Sequence, residues 1–438
     1  MHDLRSAEIT HKRVLGIAIP IVVSNATIPV LGAVDTAVVG QLGTAAPIGA
    51  VGIGSIIVTT VYWLFGFLRM GISGMTSQAR GRSDTAEISA LICRSLVFGF
   101  AVGLFLVAMK VPITRAAFMI SPASQDVESL AGNYTSIRFF SAPAAIAIYG
   151  ITGWLIAQER TRSVLLLQIW MNGLNIALDF LFVLVLERGV AGVAEATLIA
   201  EWSGLALGIW ICRDGIANGA WRNFPQIFDF AKIKRMATIN ADIMIRSAIL
   251  EVAFLSFLFY GASFGDVTLA ANQVLLQFLH ITAYALDGFA FAAEALVGLA
   301  IGARTRLALR RAVILASFWS VIMVLLLSSV FLIAGPYIID LMAKSQEVRT
   351  ESRQYYLWIV AGPLTGVAAW LLDGIFVGAM RTRDMRNAML LALIAYGISA
   401  WVFVEPLENN GLWLSLMIFN LSRGIALGIR YLDLERMQ

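Results

Sequence analysis

A chain of 438 residues that is 59% hydrophobic and 14% charged, with a mean hydropathy of +0.80, cannot supply the polar surface of a soluble domain. Its formal net charge of +4 is spread over short segments between apolar runs, with no dense basic stripe or arm, which argues against nucleic acid as a partner. A membrane-spanning helix takes about 20 apolar residues, so twelve of them leave only short connections and no separate catalytic domain.

The first 13 residues carry charge throughout, and the apolar run behind them outlasts a signal-peptide core, so it reads as a retained first helix. Apolar runs predict spans over 14–38, 47–72, 86–109, 130–158, 163–186 and 190–212. A second set follows over 237–261, 268–300, 307–333, 352–379, 386–404 and 409–430. The alternation that a β-barrel needs is absent, and backbone groups in lipid must be satisfied internally. The fold class is therefore all-α: a polytopic membrane protein whose twelve transmembrane helices form two pseudo-symmetric six-helix bundles. Residues 213–236 separate these bundles. They carry an amphipathic stretch, Trp221 to Phe230, followed by Lys232, Lys234 and Arg235, which reads as a linker lying on the membrane surface. The expected organisation is an N-terminal lobe over 1–212, a linker over 213–236 and a C-terminal lobe over 237–438.

Twenty-one of the 32 Lys and Arg fall at segment ends on one side, six fall on the other, and five lie within spans. Basic residues stay in the cytoplasm, so both termini are expected there, in a bacterial inner membrane. Two halves are visible in the letters. Gly43, Tyr62, Gly66, Phe67 and Arg82 match Gly265, Tyr284, Gly288, Phe289 and Arg304 at an offset of 222. Gly153 and Arg160-Thr161-Arg162 match Gly374 and Arg381-Thr382-Arg383 at 221. Six helices per copy give both copies the same membrane orientation, a parallel repeat. Two such bundles could rock to expose a cavity to either side in turn.

Ionisable residues inside spans point to function. Asp35 has no basic residue within twenty positions on its own segment, and removing a carboxylate from water favours its proton-carrying form. Asn172, Asn175 and Asp179 share one face of the fifth helix, extended by Gln168, a stripe suited to a proton relay or to oxygen ligands for a cation. Each aspartate could instead be a structural residue, and the asparagines could simply bond between helices. Pro20 and Pro29 predict a kink in the first helix; Pro20 is the candidate hinge, static or working. At the 222 offset the seventh helix carries Asp242, Arg246 and Glu251 where the first has Pro20, Ser24 and Pro29. Asp242 and Arg246, four apart, are expected to pair. Glu251, Gln273, Asp287 and Asp373 are candidates for a polar or cation site in the C-terminal lobe. Asp287-Gly288 and Asp373-Gly374 are similar dipeptides, suited to tight packing or a polar cluster.

Nothing in the sequence carries enzyme chemistry or implies a cofactor. His2, His11 and His280 are scattered and form no metal site, and no phosphate-binding glycine loop suggests a built-in ATP motor. Cys93 and Cys212 imply no disulfide framework. Energy would come from an ion gradient.

The segment Pro20 to Gly43, ending Val34-Asp35-Thr36-Ala37-Val38-Val39-Gly40-Gln41-Leu42-Gly43, resembles the first helix and loop of the multidrug and toxic compound extrusion transporters, most of all their DNA-damage-inducible F branch. Gly71 to Gly81, Asn175 to Asp179, Ala271-Asn272-Gln273, Leu286 to Ala290 and Arg381-Thr382-Arg383-Asp384 add to the resemblance, which covers essentially the whole chain. It implies a monomeric antiporter that exports organic cations or amphipathic compounds against protons, with sodium as a second coupling ion left open. The family's proton-binding acids would fall on Asp35 and Asp179, the associated amide on Asn175 and the bending proline on Pro20. The competing reading is a flippase or exporter of a lipid-linked or amphipathic metabolite. It draws on the in-span arginines Arg69, Arg94, Arg138, Arg246 and Arg423, provided that several face a cavity.

Overall fold

The computed structural model describes residues 8–41, 45–120, 124–217, 221 and 224–436. His2, Arg5, Leu42, Gly43, Arg222 and Asn223, used in the sequence reading, lie outside them. The described chain is helical almost throughout. The helices are α1 His11–Gly40, α2 Ala46–Gly81, α3 Thr85–Ile120, α4 Gln125–Ala157, α5 Thr161–Val185 and α6 Gly189–Ile211. They continue with α7 Phe230–Ser263, α8 Asp266–Gly302, α9 Arg306–Met342 and α10 Gln346–Gly378. The last helical run, Thr382–Arg436, is broken where Glu408 takes φ 49° and ψ −128°, giving α11 over 382–407 and α12 over 409–436. Eleven helical runs long and apolar enough to cross a bilayer are thus present among the described residues, and the break at Glu408 divides the last into two, giving the twelve that the hydropathy pattern implied.

Most helices outrun the apolar segments that announce them, and capping side chains set the starts of three of them. Thr10 Oγ1 accepts from the Arg13 amide at 3.3 Å, and Asp84 Oδ1 accepts from the Glu87 amide at 2.9 Å. Asp229 Oδ1 accepts from the amides of Ala231 and Lys232 at 2.9 and 3.2 Å, so α7 begins at Phe230. Lys232, Lys234 and Arg235 therefore stand on the first turns of α7. Of the segment read as linker, two single helical turns remain among the described residues, Arg213–Ile216 and Phe224–Ile227.

The chain divides into two compact units. Unit 1 comprises Met1–Val22, Arg80–Ser83 and Met236–Gln438, and unit 2 comprises Val23–Ala79 and Asp84–Arg235. The boundary passes through α1 two residues after the buried Pro20. Unit 1 is built on a core of Phe257, Phe278, Phe331, Trp413 and Phe419 with Leu275, Leu412 and Leu416. One core of unit 2 gathers Val38, Val39, Val51, Tyr134, Val183 and Val193. The outer faces stay apolar: on α9 alone, Leu325, Leu326, Ile333 and Leu341 are exposed, as lipid-facing positions require.

The sequence repeat is also a repeat of backbone. Among the described residues, six non-glycine residues adopt a positive φ. Ser83, Glu159 and Glu187 have φ of 58°, 58° and 50°, and Arg304, Met380 and Glu408, each 221 positions later, have 54°, 57° and 49°. A Cβ added to Gly153 would stand 2.3 Å from the Arg69 carbonyl oxygen, and one on Gly374 would stand 2.3 Å from that of Ala290, the same pair shifted by 221. The register is therefore already 221 at Arg69. The conformational counterpart of Arg304 is Ser83, and the match of Arg82 to Arg304 at 222 is one of letters alone. Gly288 is also a close-approach point, its added Cβ 2.6 Å from the Ala18 carbonyl oxygen within unit 1.

Candidate functional site

The polar stripe of α5 lies inside unit 2. Asn172 is 7% exposed, Asn175 1% and Asp179 0%. Gln168 donates from Nε2 to Asn172 Oδ1 at 3.0 Å, and Asn172 Nδ2 donates to Thr27 Oγ1 of α1 at 2.8 Å. Thr27 in turn donates to the Ser24 carbonyl at 2.7 Å. Asn175 Nδ2 donates to Thr197 Oγ1 of α6 at 3.2 Å. The amides thus fasten α5 to its two neighbours, which leaves the end of the stripe to Asp179.

Asp179 faces Asp35 within hydrogen-bonding reach. Neither Asp179 oxygen, nor Oδ1 of Asp35, has a hydrogen-bond donor among the described residues. Two ionised carboxylates offer acceptors only, so their contact is a hydrogen bond only when one of them holds a proton. The surroundings are apolar, with Val34 and Val38 on α1 and Val183 on α5 packed into one cluster. Directly after Asp179, α5 turns into a π-helical segment over Phe180–Val185, an irregularity common beside functional residues.

Arg138 is a buried cation of the same unit, on α4. It is held from behind: Nη1 and Nη2 donate to the two oxygens of Glu201 on α6 at 3.0 and 3.1 Å, and Nη1 also donates to Ser141 at 2.8 Å. Tyr62 of α2 donates to the Arg138 carbonyl at 2.8 Å, where a 3-10 turn over Phe139–Ser141 interrupts α4. The sequence reading named Arg138 but missed Glu201; a second in-span charge of opposite sign was the available signal.

The C-terminal candidates do not assemble in this way. Glu251 and Gln273 are exposed, Asp287 is half-buried, and Asp373 is buried against arginines. Among the described residues no three His, Cys, Asp or Glu side chains gather as metal ligands. The expected Asp242–Arg246 pair does not form. Asp242 instead accepts from Arg386 at 2.6 Å and from Thr382 at 3.2 Å, both on α11, while Arg246 pairs with Asp373 on α10. Spacing by four puts two residues on one face, but each side chain here finds a partner on a different neighbouring helix. Of the remaining in-span arginines, Arg94 is paired with Glu87 at 2.7 Å and donates to the Gln226 and Ile227 carbonyls.

The MatE family model matches residues 20–181 and again 243–402, so one model fits each half. The chain belongs to the multidrug and toxic compound extrusion (MATE) family. It is 36% identical over 421 residues to the DNA damage-inducible protein F of Escherichia coli strain K12, covering 94% of this chain and 90% of that protein. It is also 25% identical to a probable multidrug resistance protein NorM of Rhizobium meliloti strain 1021, covering 98% and 94%. Among solved structures, a Vibrio cholerae MATE transporter superposes with a TM-score of 0.85 at 20% identity, over 98% of this chain and 97% of that one. The protein is a membrane transporter of the DNA-damage-inducible F branch of the MATE family.

Proposed function

We propose that this MATE protein exports organic cations or amphipathic compounds by proton-coupled antiport, with Asp35 and Asp179 as the proton-carrying pair. The observation that carries the reading is the meeting of two carboxyls in an apolar part of unit 2, with no donor to either oxygen of Asp179 or to Oδ1 of Asp35, a contact that is complete only when a proton is shared. Proton uptake from the outer side joins α1 to α5 through this pair, and α1, with Pro20 about four turns earlier, rearranges to release substrate outward. Release of the proton to the cytoplasm separates the carboxyls and restores the substrate-binding form. Reciprocal linkage requires that protonation weaken substrate affinity. Arg138, anchored by Glu201, supplies a fixed positive charge that favours return of the proton. The excess of basic residues on one side supports an inner-membrane protein with both termini cytoplasmic, and a monomer suffices for this cycle. Asp373, matched by arginines, is not offered as a cation ligand.

The test is flux of a fluorescent organic cation in reconstituted liposomes under separately imposed proton and sodium gradients, with wild type, Asp35→Asn and Asp179→Asn side by side. A proton gradient alone should drive wild-type flux, and each variant should lose it while remaining folded. Flux driven by sodium alone overturns the coupling assignment, and flux under neither gradient overturns the substrate class.

A further inference from the structure

Among the described residues, the buried arginines are, with one exception, balanced by a carboxylate. Arg138 has Glu201, and Asp242 has Arg386. Glu87 serves both Arg94 and Lys232, but Lys232 is 41% exposed and can be hydrated. The exception lies within unit 1, where α7, α10 and α12 meet. Asp373 Oδ2 is the shared partner of two arginines: Arg246 donates to it from Nη2, and Arg423 Nη2 stands 3.7 Å away, beyond hydrogen-bonding distance. Arg423 is 2% exposed and Asp373 6%. Asp373 and Arg246 are the charged groups that act on Arg423 among the described residues. Arginine keeps its proton in proteins, so the cluster holds two positive charges against one negative.

Its hydrogen bonding is incomplete in the same sense. Nε and Nη2 of Arg423 and Nε of Arg246 are buried without an acceptor. A guanidinium in a membrane interior with two of its three nitrogens unmatched is a costly arrangement, and such residues mark binding sites. What would complete the cluster is one negative charge with lone pairs able to accept several N–H groups at once, the chemistry that guanidinium forks select.

We propose that Arg423 and Arg246 hold a small monovalent anion, a halide or a carboxylate group, inside unit 1 of this transporter. The anion accepts from Arg423 on the side away from Asp373 and brings the cluster to neutrality. The site is thus the opposite in sign of a cation site, and it does not depend on how the acidic pair of unit 2 works.

The experiment is thermal unfolding of the full-length, detergent-solubilised protein while sodium gluconate is exchanged for sodium chloride, or in a second arm for sodium formate, at constant ionic strength. The wild-type midpoint should rise and saturate with chloride, formate or both. Chloride alone identifies a free halide, and formate alone identifies the carboxylate of a transported solute. Arg423→Gln leaves the neutral Arg246–Asp373 pair, so it should fold and lose roughly tenfold or more in apparent affinity, the worth of one charged hydrogen bond. Arg423→Lys keeps the charge but not the fork and should fall between the two. A wild-type midpoint indifferent to both anions overturns the proposal, as does a saturable rise unchanged in Arg423→Gln and Arg423→Lys.

Discussion

In unit 2, Asp179 is wholly buried, neither of its oxygens has a donor among the described residues, and it faces another carboxyl. In unit 1, Asp373 is almost as deeply buried but is flanked by two guanidinium groups. The two halves of the chain repeat one backbone, down to three left-handed residues at a constant offset, yet the acid pair of unit 2 and the arginine pair around Asp373 in unit 1 are opposite in sign. Helix geometry and close glycine contacts are thus held in common, while the sign of the buried charge is free to differ. A duplicated frame lets each copy take a different ion without rebuilding its packing.

The sharpest way to break this contrast is to delete each acid. Asp373→Ala leaves two buried guanidiniums unpaired and should destabilise the protein by about 3–5 kcal/mol. Asp179→Asn removes a desolvated carboxyl and should leave the thermal midpoint unchanged or raised while abolishing proton-driven flux. Equal losses of stability in the two would show that both acids are structural. Next in size is the shared frame itself. Gly153→Ala and Gly374→Ala each push a methyl into a backbone carbonyl and should cost about 1–3 kcal/mol by denaturant unfolding, alike in the two units. A large cost in one and none in the other would mean that the equivalent crossings are not equivalent in energy. Smallest are the left-handed turns. Glu187→Gly and Glu408→Gly relieve a side chain of a positive φ and should each stabilise by about 1 kcal/mol. A loss at either position would show that its glutamate side chain matters more than its backbone.

Much of this was legible in the letters. The twelve spans follow from apolar run lengths, because a helix crossing lipid must hide its backbone. Asp35 and Asp179 stood out because unaccompanied acids are rare in spans. What escaped the sequence was partner choice. Asp242 and Arg246 share a face of α7, but each reaches a different helix, which spacing along one helix cannot reveal. Glu201 was overlooked because its meaning depends on Arg138, 63 positions away. The start of α7 lies ahead of its apolar run for a different reason: Asp229 is a polar cap, and hydropathy sees the apolar run rather than the cap that opens it.

The first 22 residues belong to unit 1, whose other helices come from the second half of the chain. Ala18 packs under Gly288, and His11 Nδ1 accepts from Trp319 Nε1 at 3.1 Å. On the ribosome, this leading half-helix therefore emerges about 270 residues before Gly288. At typical translation speeds of about 5–20 residues per second, it waits roughly 15–50 s for that partner. During synthesis the start of α1 is thus made long before the helices that it packs against, so this part of unit 1 is completed only when the second half of the chain arrives.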